Sequence, residues 1–242
     1  MKPFFNRLGN KYPIRYQILT MIPEHRIYAE PFVGSGAILL NKEPSEEEII
    51  NDKDSLIFEG FNLLKEANTN IDEYHVLNSV EEIQELVNAK NVSKENELLQ
   101  KLYISSNTFS AKGTGKIYTT QSGLKKLKNI SKYKDRLKNV QIFNKDYKEI
   151  IHTFDSKETF FFLDPPYENR SKNLYKNQNF NYHELNEILL KMKGKFLLTL
   201  NESENIRNIF QNFKMKELPV NSLTNNGNIG GKNRLEIIIT NY

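Results

Sequence analysis

Four consecutive residues, Asp164-Pro165-Pro166-Tyr167, put a carboxylate, two prolines and an aromatic ring together. The run before them, Thr159-Phe160-Phe161-Phe162-Leu163, has the length and apolar character of a strand buried on both faces. Such a strand delivers Asp164 to its carboxyl end, where open α/β sheets place their ligands. Pro165 and Pro166 fix two φ angles and stiffen the backbone beside the acid. Two successive prolines also leave their carbonyls without adjacent N–H donors, so the acceptors can face a ligand. Tyr167 adds a flat ring. An acid, a rigid carbonyl and a ring suit a planar substrate that carries an amine. An Asp-Pro pair alone is a common turn signal; the whole tetrad behind a fully apolar strand is not.

A second constellation lies in Arg26–Leu40, where a short strand ends at Glu30 and Pro31-Phe32-Val33-Gly34-Ser35-Gly36 turns toward a helix expected to begin near Gly36. Gly34 and Gly36 permit tight turning and close backbone approach, and a helix amino terminus would present N–H groups to a carboxylate or phosphate. This is not the dinucleotide fingerprint Gly-x-Gly-x-x-Gly. A second strand, Glu48–Asp52, ends in an acid 16 positions after Gly36. That is near the spacing at which nucleotide-binding folds set an acid on ribose hydroxyls. Val140–Asn144 is a third strand, followed by the acid and ring of Asp146-Tyr147. The glycine turn, Asp52 and the tetrad are expected to share one crevice.

The elements that must position these residues alternate strand and helix, with one interruption. Residues 58–140 carry helical apolar spacing at Val76, Val80, Ile83, Leu86 and Val87, then at Leu98, Leu99 and Leu102. Lys112 to Lys138 holds nine Lys and Arg against Asp135 alone; that segment is +8 while the whole chain is +4, so the rest is −4. Such a patch is an electrostatic footprint for phosphate backbones. The region reads as a helical insertion whose small-residue loop, Asn107–Lys116, and basic helices face a polyanion. The catalytic domain would then be residues 1–57 and 141–242. Beyond the tetrad, the polar stretch Glu168–Phe180 reads as a lid. Asn181 caps a helix with Glu184 in capping-box position, and Gly194 is expected to stop it. Lys195–Leu200 is a strand, Ser203 opens a helix bearing Ile206, Ile209, Phe210 and Phe213, and Lys214–Val220 and Leu235–Thr240 form a closing antiparallel hairpin.

Composition bounds the chemistry. Cysteine is absent, which excludes disulfides and thiolate metal sites, and the four histidines are scattered, so no metal is expected. With neither a signal peptide nor a long apolar run, the chain reads as a soluble intracellular protein with no membrane partner. An abundance of Asn and Lys hints at an AT-rich bacterial or viral source.

Taken in order, these residues resemble the Dam-type DNA adenine-N6 methyltransferases, the alpha group of the D12 class. Phe5 to Lys11 is similar to their motif X, Glu30–Gly36 to motif I, and the tetrad to motif IV. Asn51-Asp52 and Asp146-Tyr147 sit where those enzymes hold the ribose and adenine of S-adenosylmethionine. Leu198–Asn201 and Glu236–Tyr242 match their closing strands. The resemblance implies a Rossmann-like α/β fold, with a mostly parallel seven-stranded sheet, one reversed edge strand, and a helical target-recognition insertion. It implies catalysis by Asp164, Pro165, Pro166 and Tyr167. It implies that S-adenosylmethionine, converted to S-adenosylhomocysteine, is held by Phe5, Gly9, Lys11, Glu30, Pro31, Phe32, Gly34, Ser35, Gly36, Asp52, Asp146, Tyr147 and Asp164. Double-stranded DNA would meet Lys11, Phe109, Ser110, Lys112, Lys116, Lys125, Lys126 and Lys128. A cognate restriction endonuclease would be a functional partner, and the enzyme a monomer or homodimer. Two departures bear on the target. Phe109–Thr114 stands where a Tyr-Asn-Gly-Leu-like loop is usual, and Asn221-Ser222 where an arginine is expected, so recognition of GATC does not carry over.

The implied mechanism sets Asp164 and the Pro165 carbonyl against the two amine hydrogens and stacks the base on Tyr167. An RNA or other amino-methyltransferase with the same tetrad, or a silent DNA-binding module, is the rival reading. A cytosine-N4 enzyme would usually carry serine at the first position of the tetrad.

Overall fold

The computed structural model describes every residue except 8, 75–76, 78, 108–125, 168–179 and 221–233. The expected recognition loop, Phe109, Ser110, Lys112, Lys116, Lys125, Asn221-Ser222 and nearly all of the expected lid lie outside the described residues.

Seven strands form one sheet: β1 (Ile27–Glu30), β2 (Glu47–Asn51), β3 (Val140–Phe143), β4 (Thr159–Leu163), β5 (Lys195–Asn201), β6 (Lys214–Val220) and β7 (Arg234–Thr240). Their order is β3-β2-β1-β4-β5-β7-β6. β1 runs parallel to β2 and β4, and β4 parallel to β5, whereas β7 is antiparallel to both β5 and β6. The reversed strand is therefore β7, lying between β5 and β6, and not an edge strand as expected. Among the described residues no helix is long and apolar enough to cross a membrane.

The chain divides into two compact units: Met1–Arg15, Val33–Glu43 and Asn51–Asn144 in the first, Tyr16–Phe32, Pro44–Ile50 and Lys145–Tyr242 in the second. The first is largely helical. It holds α2 (Ser55–Glu66), α3 (Val80–Asn88), α4 (Lys94–Asn107) and α5 (Ile130–Leu137), after the short α1 (Arg15–Leu19) begins at its boundary. Asp54 caps α2 by accepting from the Leu56 N–H, and Ser79 and Glu82 make a reciprocal capping box on α3. The apolar stripe of α2 buries Ile57, Phe61 and Leu64. Against it packs the amino-terminal arm, with Phe5 edge-on to Phe61 at 5.6 Å and Phe4 edge-on to Tyr133 at 5.1 Å. Gly60 makes this fit possible, since a Cβ there would come within 2.9 Å of the Phe5 ring.

The second unit carries most of the sheet with α6 (Tyr147–Phe154), α7 (Tyr182–Leu189) and α8 (Glu204–Ile209). Every residue of β4 is buried, which is what an unbroken apolar run demands of a strand covered on both faces. Asn181 caps α7 by accepting from the Glu184 N–H, and Ser203 caps α8 through the Ile206 N–H. α7 ends well before Gly194. That glycine serves close packing instead, because a Cβ there would lie 2.9 Å from the Thr159 carbonyl and 3.0 Å from that of Ser156.

The other difference follows Gly36. Residues 31–40 form successive turns and no regular helix. Gly36 has φ +67°, outside the helical region, and the Leu39 carbonyl accepts from the Arg136 guanidinium at 2.7 Å. Ala37–Leu40 are all buried. Tertiary burial and a distant arginine shape this stretch, so the helix-terminus argument for anion binding has no helix to act on.

Candidate active site

In the second unit, β4 and β5 pair with Leu163 opposite Leu198. The next residue of each, Asp164 and Thr199, therefore emerge side by side at the carboxyl ends of parallel strands. Thr199 Oγ1 donates to Asp164 Oδ1 at 2.8 Å. Asp164 is half-buried. The Pro166 carbonyl accepts from the Tyr182 hydroxyl at 2.5 Å. That contact ties the second proline to the start of α7. Tyr167 is only 7% exposed. Burial pushes its phenol well above the ordinary value, and the charges of Asp164 and Glu236 push it further. Its ring is therefore a neutral, fixed wall.

Glu30 ends β1 as a buried acid, 2% exposed, whose Oε2 accepts from the Tyr28 hydroxyl at 2.8 Å. Phe32, two residues on, lies against Tyr147 at 5.0 Å, and Phe180 closes the cluster at 5.7 Å from Phe32 and 5.4 Å from Tyr147. Asp146 accepts from the Lys148 N–H and so caps α6, which gives it a structural task beside any other. The Tyr147 hydroxyl is buried without a hydrogen-bond partner among the described residues. Burial raises its pKa, as do the charges of Glu184 and Asp146.

In the first unit, the Val33 N–H donates to the Asn51 carbonyl at 2.9 Å, and the Gly34 N–H to Asp52 Oδ2 at 2.9 Å. Gly34 at φ +49° and Gly36 at φ +67° are left-handed, where glycine is favoured. The turn is thus clamped to the end of β2 by one main-chain and one side-chain bond. Asp52 Oδ1 accepts from the Asp54 N–H at 2.9 Å, and Arg7 pairs with Asp54 at 2.5 Å. Protein packed around it raises the Asp52 carboxyl above the ordinary carboxylate range, against the opposing pull of those N–H donors and of Arg7. The arm residue Gly9 has φ +84°, and Lys11, 3% exposed, donates to the Gly9 carbonyl at 2.8 Å.

A family model for the D12 class N6 adenine-specific DNA methyltransferases matches residues 8–100 and 77–222. The chain belongs to that family. No curated protein matches it. Membership implies methylation of adenine in DNA, and enzymes of the class generally use S-adenosylmethionine.

In this D12-class chain the lysines assigned to DNA divide by environment. Lys126 donates to the Phe4 carbonyl at 2.7 Å and to Asn6 Oδ1 at 3.2 Å, and burial lowers its pKa to about 8. Lys128 is exposed. Tyr133, Lys134 and Arg136 of the basic segment likewise donate to main-chain carbonyls, those of Lys2, Ala67 and Leu39. Part of the +8 patch therefore holds the unit together. Thr199 lies in the stretch matched to a closing strand and Phe180 ends the expected lid, but neither of them, nor Tyr182, was expected at the site. Thr199 alone left a trace, as a hydroxyl inside an apolar strand.

Proposed function

We propose that this chain transfers a methyl group from S-adenosylmethionine to the exocyclic N6 amine of a flipped-out adenine within a short duplex sequence. The observation that carries the reading is the Asp164 carboxylate, pinned by Thr199 at the end of a buried strand and followed by a rigid proline carbonyl. Adenine's amine is a poor nucleophile because its lone pair delocalises into the ring. With Asp164 and the Pro165 carbonyl accepting its two hydrogens, the nitrogen becomes tetrahedral and its lone pair is directed. Asp164 need not take the proton first, since the nitrogen becomes acidic once methylated. Tyr167 supplies the wall against which the base stacks. Most of the acceleration is then alignment and fixed dipoles. A base inside a duplex is not reachable in line, so it must be flipped at a cost of a few kcal/mol.

The residues of each unit fit the methyl donor. Among the described residues a Cβ at Gly34 would meet nothing within 4 Å, so they leave room beside the turn for a ligand to approach the backbone. Asp52 keeps accepting capacity on both oxygens after its two N–H bonds. Phe32 and Tyr147 offer ring faces, and the Tyr147 hydroxyl offers a polar group for a purine. Glu30 is an acid suited to an ammonium, while Phe5, Gly9, Lys11, Pro31, Ser35, Gly36 and Asp146 shape and cap these elements. Bound S-adenosylmethionine supplies an electrophilic methyl on a sulfonium and leaves as S-adenosylhomocysteine. Residues 58–140 serve as the target-recognition insertion, with β6 and β7 as the closing hairpin.

The test is incubation with tritiated S-adenosylmethionine and unmethylated duplex DNA, with Asp164→Ala as control, followed by digestion and chromatography. Label in N6-methyladenine, lost in the variant, supports the reading. Label in RNA alone, or none with cofactor binding intact, rejects it.

A further inference from the structure

Within β5, the run Phe196-Leu197-Leu198-Thr199-Leu200 contains a single polar side chain, and Thr199 is completely buried. A buried hydroxyl is unfavourable unless hydrogen-bonded, whereas a valine of the same shape would be at home there. The hydroxyl finds Asp164 Oδ1 at 2.8 Å and the Leu163 carbonyl at 3.3 Å. It has one hydrogen to give, and the shorter contact leads to the charged acceptor, which makes the stronger bond. The sp³–sp² torsion at the end of an aspartate side chain is broad, so the backbone alone does not fix the plane of its carboxylate. Thr199 does. Glu236, 6% exposed, stands opposite Asn201 on the same sheet face as Thr199.

We infer that Thr199 is a positioning residue for the methyl transfer: by donating to Oδ1 it sets the orientation in which the Asp164 carboxylate meets the adenine amine. The inference rests on the proposed function. Thr199 acts through Asp164, and its side chain also lies within hydrogen-bond reach of the Tyr167 phenol. Misalignment of a reacting group by about 1 Å can cost about 10²-fold in rate, and one hydrogen bond to a charged group corresponds to about 10- to 100-fold.

Thr199→Val keeps the shape and removes the donor, and Thr199→Ser keeps the donor and removes a methyl. For Thr199→Val we expect kcat to fall about 10- to 100-fold, with KM for DNA, cofactor Kd and melting temperature changed little, and Thr199→Ser to recover most of the rate. A Thr199→Val enzyme with wild-type kcat overturns the inference, as does a serine variant as slow as the valine one. Should the valine variant not fold, Thr199→Ser against Thr199→Ala makes the same comparison. Absence of DNA methylation by the wild type would instead reject the proposed function. The bond itself is then read by a urea-unfolding cycle of Thr199→Val and Asp164→Ala, where non-additive midpoints support it and additive ones overturn it.

Discussion

Gly34 and Gly36 lie two residues apart in the same turn, yet replacing each by alanine should do different things. Both are left-handed, so both alanines incur about 1–2 kcal/mol of backbone strain, offset in part by about 0.4–1 kcal/mol from a less flexible unfolded chain. At Gly34 no described residue lies within 4 Å of the new methyl. At Gly36 the methyl would sit 2.8 Å from Phe61 Cζ, on a ring already met edge-on by Phe5 at 5.6 Å. Overpacking of that kind adds about 1–3 kcal/mol. For a chain of this size each kcal/mol shifts the melting temperature by about 2–4 °C, so Gly36→Ala should melt about 2–12 °C below Gly34→Ala. Cofactor affinity should reverse the order, since only the Gly34 methyl projects into open space beside the turn. Thermal unfolding of both variants, with S-adenosylmethionine titrated by calorimetry, checks both halves. Equal melting temperatures, or a larger loss at Gly34, would refute the packing argument.

Three further outcomes follow from charges. Lys126, held at about 8 when folded and near its ordinary value when unfolded, binds fewer protons in the folded state between about pH 8 and 10.5. Wild-type stability should therefore rise across that window relative to Lys126→Met, as followed by urea midpoints at stepped pH. Asp52 has the opposite linkage: its raised folded pKa gives stability present at low pH that is lost as pH rises through that value. Asp52→Asn should thus gain on the wild type as pH rises above the ordinary carboxylate range, while binding S-adenosylmethionine at least about tenfold more weakly through loss of a charged hydrogen bond. Finally, Lys128→Ala should reduce the salt slope of DNA binding by about one, and Lys126→Met by clearly less, because its ammonium already serves the Phe4 carbonyl.

What was legible in the sequence was local. The unbroken apolar run of β4, the caps at Asn181 and Ser203, and the acids placed at the ends of β1, β2 and β4 depend on neighbours in the chain, and patterning exposes them. What escaped depends on partners far away. A helix after Gly36 is a fair reading of Ala37-Ile38-Leu39-Leu40 until Arg136, 97 residues on, takes the Leu39 carbonyl. The basic segment reads as a phosphate surface because charge is visible in sequence and a main-chain acceptor is not. Lys126 and Lys134 show how many of its cations are already used at home. The support behind Asp164 was invisible for the same reason, since only strand register brings Thr199 beside it.

The placement of β7 has a practical consequence. Because that strand runs against β5, its first half reaches the end of the sheet where Asp164 stands, and its last residues return to the opposite end. There Asn241 accepts from the Phe196 N–H at 3.0 Å, the Tyr242 hydroxyl donates to the Met21 carbonyl at 2.7 Å, and the Tyr242 ring meets Phe160 at 6.4 Å. Phe160 precedes Asp164 by four residues, about 13 Å along a strand. The residues around Tyr242 therefore lie at the opposite end of this unit's strands from Asp164. Substitutions at Asn241 and Tyr242 should lower stability while leaving the Thr199–Asp164 contact in place.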